Sequence, residues 1–389
     1  MKALRDYLSK QKPKFQKGGK FGAFQSTFNG FESFLYVPNH TTKSGSHLRD
    51  AIDLKRTMSI VVLALVPALL FGMYNVGYQH FLSLGQLANE SIFSLFFYGF
   101  VKVLPIIIVS YVVGLAIEFF AAQKRGHEIN EGYLVTGMLI PMVMPVEAPL
   151  WMVAVVTAFA VIFGKEVFGG TGMNIWNPAL IARAAFFFSY PTKISGDSVW
   201  IADKADAFSG ATPLATAATG SFDKLPDLAT MFYGFIPGSI GETSTLAILL
   251  GAVILLVTGI ASWRIMASVF AGGLAMGLLF NACAPEQAMT AAEHYMNLPA
   301  INHLVMGGFA FGAVFMATDP VTSSQTRSGK YIYGFLIGVL AVLIRVLNPA
   351  YPEGMMLAIL FMNTFAPLVD HFVVQSNIKR RLKRAKVNA

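Results

Sequence analysis

Thr212 follows three small residues, Ser209-Gly210-Ala211, and precedes Pro213, inside the longest polar interruption of a mostly apolar chain, between Tyr190 and Gly241. A threonine so placed reads as the N-cap of a short helix, with Pro213 at the first helical position and Gly220 as the stop. The same arrangement suits a phosphate ester on the threonine hydroxyl, because the unpaired N–H groups of Leu214 and Ala215 would face an anion at the positive end of the helix. Small residues ahead of it leave the backbone open to a modifying enzyme and a bulky group. Spacing alone does not choose between a plain cap and a modified one.

Three carboxylates, Glu118 and Asp370 inside apolar runs and Asp319 at the end of one, stand where a charge is costly and functional by default. Such oxygens suit a sodium ion. The plain alternatives are that Asp319 ends a helix ahead of Pro320 and that Asp370, beside His371, is solvated at the interface. Asn174 and Asn177 open another run, with Arg183 about 10 Å further along the same helix. Amides that donate and accept, backed by a cation, suit the polar edge of a buried ring; equally, asparagines cap a broken helix and an arginine pairs with a structural carboxylate. The one cysteine, Cys283, rules out a disulfide framework within the chain and any thiolate zinc site or iron–sulfur cluster built from this chain alone. No Gly-x-Gly-x-x-Gly lies between a strand and a helix, so no dinucleotide site is expected.

The elements that must hold these residues are membrane helices. Of 389 residues, 55% are hydrophobic and 13% charged, with a mean hydropathy of +0.57, which a water-soluble domain of this size would not tolerate. Residues 1–56 are polar and basic and lack the short apolar core and cleavage site of a signal peptide. Runs long enough to cross the hydrocarbon core fall at 57–79, 93–121, 132–147, 148–165, 176–191, 242–261, 265–283, 302–318, 331–347 and 353–373. Two are short, and only Val146-Glu147-Ala148-Pro149 divides 132–147 from 148–165, so one of these two is a candidate re-entrant or broken helix. Of the 29 Lys and Arg residues, 23 fall in 1–56, Lys124-Arg125, Lys165, Arg264, Arg327 with Lys330, and the tail from Lys379. By the positive-inside rule those segments are cytoplasmic, both termini with them, and the Thr212 loop is periplasmic. The +8 charge then reflects topology, and no nucleic acid is needed to explain it.

Gly132, Gly137 and Pro145 have the spacing of Gly307, Gly312 and Pro320, and Asn177-Pro178-Ala179 returns as Asn348-Pro349-Ala350. Five runs per half is an odd number, so the copies would be inverted in the membrane, with sites expected where the halves meet. The expected organisation is an all-α integral membrane protein: a basic segment 1–56, a first five-helix repeat 57–191, a loop 192–241, a second repeat 242–373 and a basic tail 374–389. The aromatic stretch that includes Phe24 and Phe34 reads as an interfacial helix, first a lipid anchor or partner contact and otherwise the wall of a quinone site. Gly114 leaves room either for a quinone ring or for a close helix contact.

The Ser-Gly-Ala-Thr tetrapeptide resembles the flavinylation motif of the membrane subunits of sodium-translocating NADH:quinone oxidoreductases and of the related Rnf complex, where it is the D subunit. The likeness extends through His47-Leu48-Arg49-Asp50, Asp53-Leu54-Lys55-Arg56, Lys165 to Gly172, Ile236 to Glu242, Met316-Ala317-Thr318-Asp319-Pro320 and Asn348 to Gly354, nearly the whole chain, and is to the B-type subunit of the sodium pump. The long basic amino-terminal segment favours that pump over Rnf. The resemblance implies FMN on Thr212 through its phosphate, a second noncovalent flavin (riboflavin) in the same subunit, and ubiquinone as acceptor. It also implies partner subunits in a bacterial inner membrane, among them an NADH-oxidising FAD and iron–sulfur subunit and a second FMN-bearing one, with Na+ export tied to acids such as Glu118, Asp319 and Asp370. Two rival readings are a channel without redox chemistry, which would give no fluorescent band after denaturation, and a structural anchor, whose intramembrane acids could be replaced freely.

Overall fold

The structure is a computed structural model that describes all residues except Met1, Lys17, 37–41, 43, 49–51, 126–131, 192–198, 206–207, 286–287, 349–352 and 388–389. The described residues contain helices and no strand. Five helices are long and apolar enough to cross a membrane: α3 (Leu54–Ser83), α4 (Ile92–Arg125), α11 (Trp263–Cys283), α15 (Arg327–Leu347) and α16 (Met355–Val387). Helical bonding satisfies their backbones internally, as a lipid surround demands, apart from the donors missing at Pro67 in α3, Pro105 in α4 and Pro367 in α16. Ahead of them, α1 (Lys2–Phe15) and α2 (Gln25–Leu35) pack on one another through Phe15 and Phe28 and on α4 through Phe31 against Phe119. Lys12 and Glu32 add an ion pair of 2.6 Å.

Between the long helices stand shorter ones: α5 (Tyr133–Met142), α6 (Leu150–Val161) continued by a π turn at Ile162–Glu166, and α7 (Pro178–Ser189). After them come α8 (Pro213–Ala218), α9 (Leu228–Tyr233), α10 (Thr245–Val257) and α12 (Ala291–Met296). The run 302–318 is α13 (Asn302–Val305), α14 (Phe309–Phe311) and a second π turn, Gly312–Met316.

Two expected spans are therefore not single helices. The run 132–147 is helical only to Met142, because Pro145 has no N–H and the Met142 and Met144 carbonyls turn aside to accept from Gly241 and Ile240, at 2.8 and 3.3 Å. Such irregular backbone is tolerated at membrane depth only when enclosed by protein, and Met142, Val143 and Met144 are fully buried. The run 302–318 breaks at Gly307, whose φ of 60° lies in the left-handed region that a glycine enters at little cost. The same residue gives way to the Leu214 side chain.

In the first part of the chain α3 packs on α4 and α5, α4 on α5 and α6, and α6 on α7, which also meets α5. In the second, α11 packs on α15, α15 on α16, and the Gly312–Met316 turn touches α10, α11 and α16. α3 against α10 and α7 against α16 join the two parts. The closest pair, α11 and α15, touches backbone to backbone: Gly272 faces the Phe335 carbonyl and Gly338 the Val269 carbonyl, so that any Cβ would collide. Close approach of this kind replaces the hydrophobic drive that helices lose in lipid.

Candidate functional site

Where the two parts meet, at the end that carries Arg125, Lys165 and Asp370, a cleft of about 100 Å³, partly open to the surroundings, separates the start of α3 from the two π-turn segments. Val61, Val135, Leu139, Leu255 and Phe315 give it apolar walls, and Lys165, Asn174, Asn177 and Asp319 supply polar groups. Asn177 caps α7, its Oδ1 accepting from Ala179 N at 2.9 Å, with Pro178 at the first position. Its Nδ2 reaches across to Asp319 Oδ2 at 3.4 Å, so one side chain ties the two parts together. Asn174 Nδ2 donates to the Trp176 carbonyl at 3.0 Å. Asp319 also accepts from Val321 N at 3.0 Å and Thr322 Oγ1 at 3.2 Å. It does end a helical segment ahead of Pro320, and it still faces the cleft.

The other two acids are elsewhere. Glu118, on α4, accepts a hydrogen bond from Lys165, both side chains being buried. Lys165 is thus an interior cation on the π turn, lining the cleft and lying over the Tyr133 ring, and not the loop charge its sequence position implies. Asp370, on α16, holds the loop ahead of α15: Oδ1 accepts from Ser324 Oγ (2.7 Å), Thr326 Oγ1 (2.6 Å) and Thr326 N (3.0 Å), and Oδ2 from Gln325 N (2.7 Å). The room beside Gly114 is filled by Tyr133, whose hydroxyl donates to the Ser110 carbonyl at 2.8 Å. Phe24 is exposed, and the Phe34 side chain lies outside the described residues.

Thr212 stands at the opposite end. It is the N-cap of α8, its Oγ1 accepting from Ala215 N at 3.2 Å, and it is half-buried, with Ser209 exposed and Gly210 buried before it and Ala211 half-buried. α8 is seated on α12, where the Tyr295 hydroxyl donates to the Leu214 carbonyl at 3.3 Å. Nearby, residues 199–203 strap the ends of α3 and α4. His80 Nδ1 bonds the Ala202 carbonyl at 2.8 Å, and Asp203 takes Lys102 at 2.6 Å and the Tyr98 hydroxyl at 2.8 Å. Those two donors, Lys102 first, hold the Asp203 carboxyl below the usual carboxylate range. Asp203 sits at φ 44°, a region that Asp tolerates better than most residues.

Arg183 does not reach the cleft. It pairs with Glu353 at 3.0 Å and lies over the Trp200 ring, so the expected structural carboxylate exists and is Glu353. Glu353 and Glu242, both buried, carried no signal in the sequence because each falls at the first position of an apolar run, where an acid reads as a solvated cap. Arg345, fully buried, donates to the carbonyls of His303, Met306 and Glu353.

Residues 41–379 match the NQR2, RnfD, RnfE family. The chain is 49% identical over 403 aligned residues, 98% of this chain and 96% of the relative, to the B subunit of the Na(+)-translocating NADH-quinone reductase of Chromohalobacter salexigens. It is 48% identical over 406 residues, 98% of this chain and 99% of the relative, to the protein of that name from Pseudomonas aeruginosa. The protein of that name from Azotobacter vinelandii is 47% identical over the same coverage.

Proposed function

The chain belongs to the NQR2, RnfD, RnfE family, and from that premise we propose that it is the B-type membrane subunit of a sodium-translocating NADH:quinone oxidoreductase. In this reading it passes electrons from FMN on Thr212 through riboflavin toward ubiquinone while Na+ is exported. NADH is oxidised on a partner subunit that holds FAD and an iron–sulfur cluster, and a second FMN-bearing subunit stands between. The assembly lies in a bacterial inner membrane, with the cleft end cytoplasmic and the Thr212 end periplasmic.

The observation that carries the reading is the state of the Thr212 hydroxyl. Among the described residues its oxygen accepts from Ala215 N and donates to none, so esterification, which removes the hydroxyl proton, leaves the cap intact. The residue is half-buried behind an exposed Ser209, which suits a side chain that a modifying enzyme must reach. The second flavin is assigned to this cleft on the chemistry of its lining: apolar walls, amides at one end, and the Lys165 ammonium beside them. A flavin bound there supplies one-electron transfer. The chain's own residues orient and enclose it: Asn177 fixes the seam between the parts, and the Glu118–Lys165 pair sets the charge of the wall.

The helix order supports an inverted repeat of five and five. In each part the third element is broken and packs on the first, second and fifth, the second packs on the fourth, and the fourth on the fifth. For the ion route, Asp319 is the acid placed to meet an ion in the cleft, Glu118 acts through Lys165, and Asp370 holds the loop that presents Asp319. The membrane-interface segment that carries Phe24 and Phe34 is where a quinone would approach; Gly114, covered by Tyr133, is not.

Thr212→Ala tests the reading. It removes the acceptor as well as the nucleophile, which costs about 1 kcal/mol of local stability, so the chain should still assemble. A fluorescent band that survives denaturation in the parent and is lost in the variant is the expected outcome; a band retained in the variant refutes the assignment.

A further inference from the structure

The last long helix, α16, does not end with the membrane. Its mostly apolar run from Met355 to Val374 is already about 30 Å long, the thickness of the hydrocarbon core, and the helix continues without a break to Val387. Among the described residues, the hydrogen bonds of Asp370 to the loop 324–326 are the last that an α16 side chain makes to the rest of the chain. From Val374 to Ala385 every residue is exposed. This projection is two-sided at helical spacing. Val374, Ile378, Leu382 and Ala385 share one side, while Lys379, Arg380, Lys383 and Arg384 occupy the rest of the circumference. Ile378 is 44% exposed and Leu382 57%. No acid occurs from His371 to Ala389, and among the described residues none of the four cations forms an ion pair.

Lys379 and Lys383, and Arg380 and Arg384, stand four residues apart, and like charges at that spacing oppose a helix. The apolar stripe gains nothing while it stays in water. Lipid is the usual cover for a basic two-sided helix, but such a helix lies flat in the interface, and this one is the straight continuation of a crossing helix. Lys383 and Arg384 lie about 14 and 15 Å beyond Val374, clear of a headgroup layer of about 5–8 Å. The gap that remains is comparable with the Debye length, about 8 Å, and an average tilt of about 20° changes it little. Lipid phosphates can therefore serve the first turn, Lys379 to Arg381, and leave the distal turn and the stripe uncovered. We propose that the projecting end of α16 is a docking helix for a water-soluble domain of a partner subunit. That domain receives Ile378, Leu382 and Ala385 in an apolar groove and meets Lys383 and Arg384 with carboxylates on its rim, as amphipathic helices are seated in grooves. The proposal rests on the chain being one subunit of a larger complex and asks nothing of the flavins or of sodium. Because Asp370 on the same helix holds the loop ahead of α15, a partner seated there bears directly on the cleft end of the molecule.

Hydrogen exchange over peptides spanning 374–387, compared between the intact complex and the isolated chain in the same detergent, tests this together with zero-length carbodiimide cross-linking of the complex. The expected result is exchange about tenfold slower in the complex, with cross-links from Lys379 or Lys383 to carboxylates of one partner subunit. Lys383→Glu combined with Arg384→Glu should abolish both and lower the salt concentration that strips that subunit, whereas Lys383→Arg should keep the protection. Leu382→Ser leaves every charge in place and should still lose it; full protection in that variant overturns the apolar groove. The melting temperature of the isolated chain should not change in any of these variants, since the projection stands clear of the bundle, and a lowered one overturns the proposal. Equal exchange in the complex and in the isolated chain also overturns it. So does protection of the isolated chain by nanodiscs of anionic lipid but not by zwitterionic ones, because the cover is then the membrane. If no other subunit purifies with the parent chain, the subunit reading falls and the docking helix with it. If the subunits purify and the projection exchanges freely, the docking helix falls alone.

Discussion

Asp370→Asn separates two roles that an intramembrane acid can have. Asp370 accepts four hydrogen bonds from Ser324, Gln325 and Thr326, and a carboxylate so surrounded is already coordinated, by protons. The amide is isosteric but carries one acceptor and one donor. If its oxygen keeps the Ser324 and Thr326 side, its NH2 must face the Gln325 N–H, and a bond to a charged acceptor becomes a donor–donor contact. Hydrogen bonds to charged groups are worth about 1.5–3 kcal/mol each. Because Asp370 is only half-buried, water takes over part of the loss, and the net cost of opening the loop falls to about 2 kcal/mol. That is roughly thirtyfold faster amide exchange at Gln325, Thr326 and Gly329. Exchange measured by mass spectrometry on peptides spanning 320–330, with quinone reduction followed against sodium concentration on the same preparations, decides the matter. Faster exchange with an unmoved sodium curve is the expected outcome. A raised half-saturating sodium concentration with unchanged exchange would refute the reasoning and return Asp370 to the ion path as a direct ligand.

Gly114→Ala should destabilise the protein by about 1–3 kcal/mol through overpacking, since the added methyl collides with Tyr133; a lower melting temperature that Tyr133→Phe partly restores is the signature, and an unchanged one removes the contact from the account. Asp203→Asn tests the strap over α3 and α4. The folded pKa of Asp203 lies below its ordinary value, so the strap's stabilisation is complete above the ordinary value, about 3.9, and is lost as pH falls through the folded one. The variant should therefore show faster exchange across 199–203 at neutral pH and little further change on acidification, with an effect under about 1 kcal/mol because the acid is exposed. A cysteine at Ser221 should react with an impermeant thiol reagent in intact cells and one at Ser328 should not; the reverse labelling would turn the proposed orientation over.

The long helices could be read directly from the chain, because α3, α4, α11, α15 and α16 are uninterrupted apolar runs and a bilayer allows little else. A break between 132 and 165 is legible as a suspicion and the one at Gly307 is not, and that the Met142 and Met144 carbonyls accept from Gly241 and Ile240 is a contact between segments roughly a hundred residues apart. Asn177 and Asp319 were each visible as polar residues at the edge of a run. Nothing local said that they would touch. Lys165 was assigned to a loop by its charge, and its burial against Glu118 depends on the helix that presents it. Glu242 and Glu353 were passed over for the opposite reason, since an acid ahead of an apolar run has an ordinary explanation as a cap.

The π turns at Ile162–Glu166 and Gly312–Met316 make the cleft a matter of angular phase. A π turn carries one residue more than an α turn, so every side chain beyond it is rotated by about 100° from its α-helical bearing. Trp151, Val155 and Phe159 keep α6 facing outward at four-residue spacing, and the extra residue then swings Lys165 inward to Glu118. Each turn runs directly into a segment that lines the cleft, through Thr171 to Pro178 on one side and Thr318 to Val321 on the other. A single-residue deletion inside either turn would leave the length of the crossing almost unchanged and re-aim one wall of the cleft, so the chain can tolerate a substitution at these places more readily than a change of register.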